Sequence, residues 1–267
     1  MAHTELVDGI EVEVAGTGQD TIVMVHGWPD NQSLWDTQVA AFAPYYRCVR
    51  FTLPGFGATP AGKPPTLVET VALLHAIVLR VSPDRPVTLM LHDWGCLFGY
   101  AFQRAHPALV SRVVGVDIGD AGSHEHLRAI GISGKLMLAT YQLWLALLYR
   151  IGGSAGDALT RAFARTFKVP GDLGRIGSHM NYPYYIAWFK AYGSYDAARP
   201  PLLDKPFLYI YGKRKPFMFH SPQWLAQVAG LPGSRVIEMD SDHWPMLSKA
   251  EEFNAAVLGW LRAEEQA

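Results

Sequence analysis

Short apolar runs rich in strand-forming residues alternate with longer amphipathic stretches along most of the chain. IVMVH (22–26), RCVRFTL (47–53), VTLMLH (87–92), RVVGVDI (112–118), FLYIYG (207–212) and RVIEMD (235–240) predict strands. Residues 67–80 (LVETVALLHAIVLR) repeat apolar positions every three or four residues, and residues 95–107 (GCLFGYAFQRAHP) follow the third run; both predict crossover helices of a parallel α/β sheet. Residues 5–14, with Asp8-Gly9 between apolar positions, predict an antiparallel hairpin leading into that sheet.

The rhythm breaks between residues 121 and 201, which carry helical patterns and aromatic clusters but no convincing strand. A structureless loop of that size would be unusual, so the segment predicts a helical insertion between two strands. Its most apolar part, LMLATYQLWLALLY (136–149), contains Gln142 and falls short of the ~20 residues needed to cross a bilayer. It is expected to be a buried helix. Strand–helix alternation resumes at Pro206 and ends in an amphipathic helix over residues 250–263, and no internal repeat is present.

Composition narrows the class of protein. With 267 residues, 49% of them apolar, the chain can bury a full core and is not a disordered segment. Its 23 lysines and arginines against 24 acidic residues give a net charge of -1, which offers no electrostatic footprint for nucleic acid or an anionic membrane and points to a small or neutral partner. Cys48 and Cys96 lie in apolar surroundings outside any CxxC spacing and read as buried free thiols. The first residues lack a basic start followed by an apolar run, so a cytoplasmic protein is expected.

The candidate chemistry sits where strands end. In VTLMLHDWGCLFGYAF, Asp93 falls at the junction of a strand and a glycine-containing helix, where a nucleophile elbow presents its side chain. A lone aspartate there would read as a helix N-cap. As a nucleophile, a carboxylate can attack an sp³ carbon to form an ester whose carbonyl water then attacks, a chemistry suited to epoxides and alkyl halides. His26-Gly27-Trp28-Pro29 follows the first parallel strand, and a glycine turn there can aim the Trp28 N–H into the site, forming an oxyanion hole with the N–H of Trp94. Asp242-His243-Trp244-Pro245 follows the last strand and makes His243 the candidate base for the hydrolytic water.

HGWPD (26–30), LPGFGATP (53–60), HDWG (92–95) and DHWPM (242–246), in that order with a helical insertion between, resemble the α/β-hydrolase superfamily, specifically its epoxide hydrolase and haloalkane dehalogenase branch. The resemblance covers essentially the whole chain. It implies a mostly parallel eight-stranded sheet flanked by helices, with a helical cap inserted after the sixth strand: a core domain over 1–120 and 202–267 and a cap domain over 121–201. It also implies an aspartate nucleophile, a histidine base, an acidic partner for that histidine, and no cofactor or metal. Two departures stand out. Leu91 occupies a position that is normally small in the family and could tilt the elbow, and YGKRKPFMFH (211–220) lacks the carboxylate that many members carry after the strand following the cap. Some relatives place that acid after the strand preceding the cap, which points to Asp117, with Asp120 in reserve; Asp240 and Asp242 read as surface groups.

Opening an epoxide generates an alkoxide that needs an acid, and a phenol is a suitable donor. In epoxide hydrolases two cap tyrosines serve, and by resemblance Tyr141 is the first and Tyr184 the second, with Tyr182 and Tyr185 as alternatives. Trp28 stands where many haloalkane enzymes have Asn, and Trp94 where haloacid-cleaving relatives have Arg; both favour a neutral epoxide, although the Trp94 indole could hold a halide. The function expected is hydrolysis of an apolar epoxide to a vicinal diol. Haloalkane dehalogenation and a non-catalytic small-molecule receptor are the alternatives. The expected partner is a small apolar epoxide or haloalkane, without nucleic acid or membrane insertion, and a homodimer is left open.

The remaining features read blandly. Gly152-Gly153-Ser154-Ala155-Gly156 fits G-x-S-x-G but lacks a preceding strand and reads as a loop. His124, Glu125 and His126 read as a solvated cap entrance, His179 and His220 as structural or exposed, and Lys213, Arg214 and Lys215 as a solvated basic loop.

Overall fold

Asp8 and Gly9, both at positive φ (48° and 80°), turn β1 (Ala2–Val7) back on β2 (Ile10–Ala15) and so start the sheet. The computed structural model describes residues 2–58 and 62–264. Thr59 and Pro60, which end the LPGFGATP motif, lie outside the described residues. The chain continues through β3 (Thr21–Val25), α1 (Asp36–Phe42), β4 (Arg47–Phe51), α2 (Leu67–Val81), β5 (Val87–His92), α3 (Trp94–Ala105) and β6 (Val110–Val116). Helices α4 (His124–Ala129), α5 (Gly131–Ile151), α6 (Gly153–Thr166) and α7 (Tyr182–Phe189) follow. The core then resumes with β7 (Phe207–Gly212), α8 (Pro222–Ala229), β8 (Arg235–Met239), α9 (Pro245–Ser248) and α10 (Ala250–Glu264).

The eight strands are ordered β1-β2-β4-β3-β5-β6-β7-β8. β2 pairs antiparallel with β1 and β4, and every other pairing is parallel. Every residue of the central strands β3 and β5 is buried, as a sheet covered on both faces requires. Because β3, β5, β6, β7 and β8 run the same way, the loops at their carboxyl ends gather on one edge of the sheet, where open α/β folds place their sites.

The crossover helices form for local reasons. Thr66 and Glu69 close a capping box at the start of α2, and Leu67, Leu73, Leu74, Ile77, Val78 and Val81 form its buried stripe. α3 approaches the sheet closely through glycine: a Cβ on Gly95 would stand 2.3 Å from the Val25 carbonyl oxygen. β6 ends at Val116, two residues before its apolar run does, because Asp117 takes φ 69° and leaves the extended backbone.

Two expectations about the insertion need correction. α5 is longer than the apolar run and is not a buried helix: Leu145, Ala146 and Leu148 are buried, whereas Ile132 and Leu136 are exposed, because α5 packs against α6 and α7 and leaves its other face uncovered. Residues 153–156 are the first turn of α6 rather than a loop; Gly152 at φ 62° ends α5 and lets the next helix start at once. Ser154 is exposed on that turn. Among the described residues no helix is long and apolar enough to cross a membrane.

Candidate active site

β5 delivers Asp93 to the edge of the sheet at φ 51°, ψ -126°, a conformation that turns the side chain up from the strand before α3 begins. The side chain makes no helix-capping hydrogen bond. Its Oδ1 accepts from the Trp28 N–H at 2.7 Å, and the Trp94 N–H also hydrogen-bonds the carboxylate. Only glycine fits at position 27, since a Cβ there would lie 2.4 Å from both Asp93 Oδ1 and the Trp94 nitrogen. His26 fixes this turn: it is fully buried, its Nε2 accepts from the Leu53 N–H at 2.9 Å, and its Nδ1–H therefore donates to the Gly27 carbonyl at 2.9 Å. Burial pulls His26 down to about 4, so the ring is neutral.

His243 lies in the loop between β8 and α9, with Nε2 3.3 Å from Asp93 Oδ2 and Nδ1 hydrogen-bonded to Asp117 Oδ2. Burial alone would lower its value, but the Asp117 carboxylate, by charge and hydrogen bond, and then Asp93 hold it up at about 9. Asp117, fully buried one residue beyond β6, receives the Gly212 N–H at 3.1 Å and the Lys215 ammonium on Oδ1. Burial would raise this carboxyl, yet the charges of Lys215 and His243 hold it well below the usual carboxylate range. Asp93 is likewise held below its ordinary value against burial, first by the His243 hydrogen bond and charge.

The histidine loop is itself anchored from two sides. His92 Nε2–H donates to the His243 carbonyl at 2.9 Å, and burial keeps that ring neutral, at about 3. The Trp244 indole donates to Asp30 Oδ2 at 3.0 Å, and burial pushes Asp30 up to about 7. Asp242 is exposed and caps the Trp244 N–H at 2.9 Å, and Asp240 is exposed beside Arg214. Asp120 is buried but spends its carboxylate on Ser221 and Ser123, so it holds a loop and does not touch His243.

A cavity of about 540 Å³ opens over Asp93, walled by Trp94, Leu138, Tyr141, Tyr184 and Phe219. The Tyr141 and Tyr184 rings meet edge to face at 6.2 Å, and Tyr184 lies 5.1 Å from the Trp94 ring. Burial, then the Asp93 charge, pushes the Tyr184 phenol up; burial does the same for Tyr141, so both are proton-bearing at neutral pH. Tyr182 packs against Gly55 and Phe56, and Tyr185 stacks on Phe189 and packs tilted against Tyr149; neither lines the cavity.

Two of these readings change. Lys215 does not belong to a solvated basic loop: its side chain is 7% exposed, turned inward onto Asp117, while Lys213 and Arg214 stay outside. The flanking cations hid this, although a lysine just before the apolar run PFMF was a signal that one charge faces inward. His126 is not solvated either; it is buried on the cavity wall, donating from Nε2 to the Met218 carbonyl at 2.8 Å and accepting the Gly122 N–H at Nδ1. His220 is buried with Nδ1 2.9 Å from the Tyr209 hydroxyl, and His179 bonds the Gly57 carbonyl; neither lines the cavity. Among the described residues no group of three or more His, Cys, Asp or Glu side chains could hold a metal ion.

A mostly parallel eight-stranded sheet with an aspartate at the elbow after β5, a histidine after β8 and a helical insertion after β6 defines an α/β hydrolase. The sequence pattern of the Alpha/beta hydrolase family matches residues 22–256, and the chain belongs to that family. It is 26% identical over 244 residues to the "Probable oxidoreductase EphD" of Mycobacterium tuberculosis, covering 79% of this chain and 41% of that protein. It thus spans about two fifths of that curated relative. Epoxide hydrolase 2 of Caenorhabditis elegans is 27% identical over 108 residues, 39% of this chain and 30% of its own. Among solved structures, the epoxide hydrolase VrEH1 of Vigna radiata superposes with a TM-score of 0.70 at 17% identity, covering 98% of both chains. The Bacillus megaterium epoxide hydrolase bound to an inhibitor gives 0.67 at 19% identity, covering 97% of this chain and all of that one. These likenesses are of fold.

Proposed function

We propose that the protein hydrolyses an apolar epoxide to a vicinal diol through an ester on Asp93. The observation that carries this reading is that one cavity wall presents two phenols, the buried Tyr184 and the half-buried Tyr141, to the space over the Asp93 carboxylate. An alkoxide leaving group needs such donors and a halide does not. The names of the epoxide hydrolases that the chain resembles agree with it. In this reading residues 121–201 form a cap domain over a core made of 1–120 and 202–267, and the partner is a small apolar substrate.

Asp93 Oδ1 is held by the Trp28 N–H, which leaves Oδ2 to attack the less hindered epoxide carbon. The ring C–O bond breaks and its oxygen takes a proton from a tyrosine. The resting His243 imidazolium returns that proton to the phenolate and is left as a neutral base. It then takes a proton from water, whose oxygen attacks the ester carbonyl; the resulting oxyanion at Oδ1 faces the N–H groups of Trp28 and Trp94. Collapse releases the diol as an alkoxide, which takes the proton of the re-formed Asp93 carboxyl. His243 ends as the imidazolium it began as, and one epoxide and one water have become one diol.

Product analysis on epoxides such as styrene oxide beside bromo- and chloroalkanes of matching size tests the proposal. Diol without halide release is expected. Halide release without diol would overturn it in favour of dehalogenation, and ligand binding with no product from either set would make the protein a receptor.

A further inference from the structure

The loop after β7 sends its three cations in different directions. Lys213 and Arg214 receive backbone anchors from β8 and its following turn, with their N–H groups on the carbonyls of Met239 and Ser241 at 3.0 and 2.8 Å. Their side chains stay at the surface beside Glu238 and Asp240. Lys215 turns inward, places its ammonium on Asp117 Oδ1, and lies 5.7 Å from the centre of the Phe219 ring. Asp117 therefore divides its two oxygens between two cationic partners, Lys215 on Oδ1 and His243 on Oδ2.

We infer that Lys215 is a positioning residue that acts through Asp117 to govern when His243 gives up its proton. The inference rests on reading His243 as the base of ester hydrolysis. At rest the four groups balance: two carboxylates, Asp93 and Asp117, face one ammonium and one imidazolium. Once Asp93 is esterified its charge is gone, and Lys215 alone compensates Asp117. A neutral His243 then leaves the cluster balanced, and a protonated one leaves it with an excess positive charge in a buried site. The lysine thus favours a free base in the step that needs one. Without it, the ester state would hold an uncompensated Asp117, and His243 would keep its proton to balance it.

The other titratable groups around His243 are His92 and Asp93 from β5, Asp30 from the loop after β3, and, beside Lys215 and Asp117, Tyr209 and His220. Burial keeps His92 and His220 neutral, at about 3 and about 4, and pushes Tyr209 well up. Asp30, at about 7, titrates nearer to His243, so the imidazole must be read directly.

The test is an NMR titration of labelled histidine in the whole protein, in Asp93→Asn, whose uncharged side chain stands for the ester, with and without Lys215→Met. Lys215→Met is expected to move the His243 midpoint upward by about one unit or more, a tenfold change, and Lys215→Arg to restore it. In rapid-mixing experiments with an epoxide at pH 7, Lys215→Met on the native Asp93 background should form ester at the original rate but hydrolyse it tenfold or more slowly, with recovery as pH rises. An unmoved midpoint, or hydrolysis slowed equally at every pH, would overturn the inference and leave Lys215 a packing residue. If Lys215→Met does not fold, Lys215→Gln, which keeps a hydrogen bond without charge, carries the same comparison. Should the protein open no epoxide at all, the activity reading fails while the titration still decides the role of Lys215.

Discussion

Leu91 fills the space that Gly99 leaves open on α3: a Cβ on Gly99 would stand 2.4 Å from Leu91 Cδ2 and 2.5 Å from Cδ1. The bulky residue two positions before Asp93 is thus accommodated in the packing between β5 and α3, with Leu91 fully buried. Gly99→Ala should overpack this contact and cost about 1–3 kcal/mol. Leu91→Ala should leave a cavity and cost about 2–5 kcal/mol. The two changes share one contact, so the double variant should be more stable than the sum of the single losses predicts. Urea denaturation of the four proteins checks this, and strictly additive losses would contradict the coupling.

The roles proposed for Asp93 and His243 separate in time. Asp93→Asn should lower turnover by about three orders of magnitude or more, with deamidation checked by mass spectrometry, because no ester can form. His243→Gln should instead let the ester form and then persist, slowing hydrolysis by about 10²–10⁴. Intact-protein mass spectrometry after mixing with a substrate that the native protein turns over reads this directly. Absence of an adduct in His243→Gln would remove the histidine from the hydrolytic step.

The Tyr141 and Tyr184 phenols should each matter, and their neighbours should not. Tyr141→Phe and Tyr184→Phe keep the rings that wall the cavity and delete only the donor, so each should slow ester formation by about 10–10³ and the pair by more. Tyr185→Phe, on a ring that packs on Phe189 and Tyr149 and does not line the cavity, should leave the rate within about twofold. Equal losses at all three positions would point to packing of the insertion rather than proton donation. Stopped-flow tryptophan fluorescence can follow ester formation, since Trp28 and Trp94 both lie beside Asp93.

The strands and crossover helices were legible because their patterns are strong and local. β5 and β7 match their apolar runs residue for residue, and the elbow follows from a strand, an aspartate and a glycine-containing helix in succession. The end of β6 was not legible, since the left-handed backbone at Asp117 serves a contact with His243 that lies far along the chain. Lys215 escaped for the same reason. Its partner is brought to it by the pairing of β6 with β7, while the two cations before it made the segment look like an ordinary solvated loop. The exposed face of α5 shows the opposite case, in which apolar composition suggests burial although only one side of the helix meets other helices.

The protonation states carry a stability prediction with two separate windows. His243 rises from 6.5 in the unfolded chain to about 9 in the folded protein, so its ion pairs stabilise the fold fully below pH 6.5. That contribution declines above it and is lost as pH rises through about 9. Asp30 rises from 3.8 to about 7 because burial outweighs the Trp244 indole hydrogen bond, which favours the charged form. Its neutral form favours the fold below pH 3.8, and that preference declines above it and is gone beyond about 7. Two successive declines are therefore expected in a melting-temperature profile, one from Asp30 between about pH 4 and 7 and one from His243 between about 6.5 and 9. Asp30→Asn should flatten the first, and His243→Gln should flatten the second while moving the first upward, because the His243 charge helps hold Asp30 down. A fall near pH 9 that persists in His243→Gln would mean that the imidazole carries no raised value in the folded state.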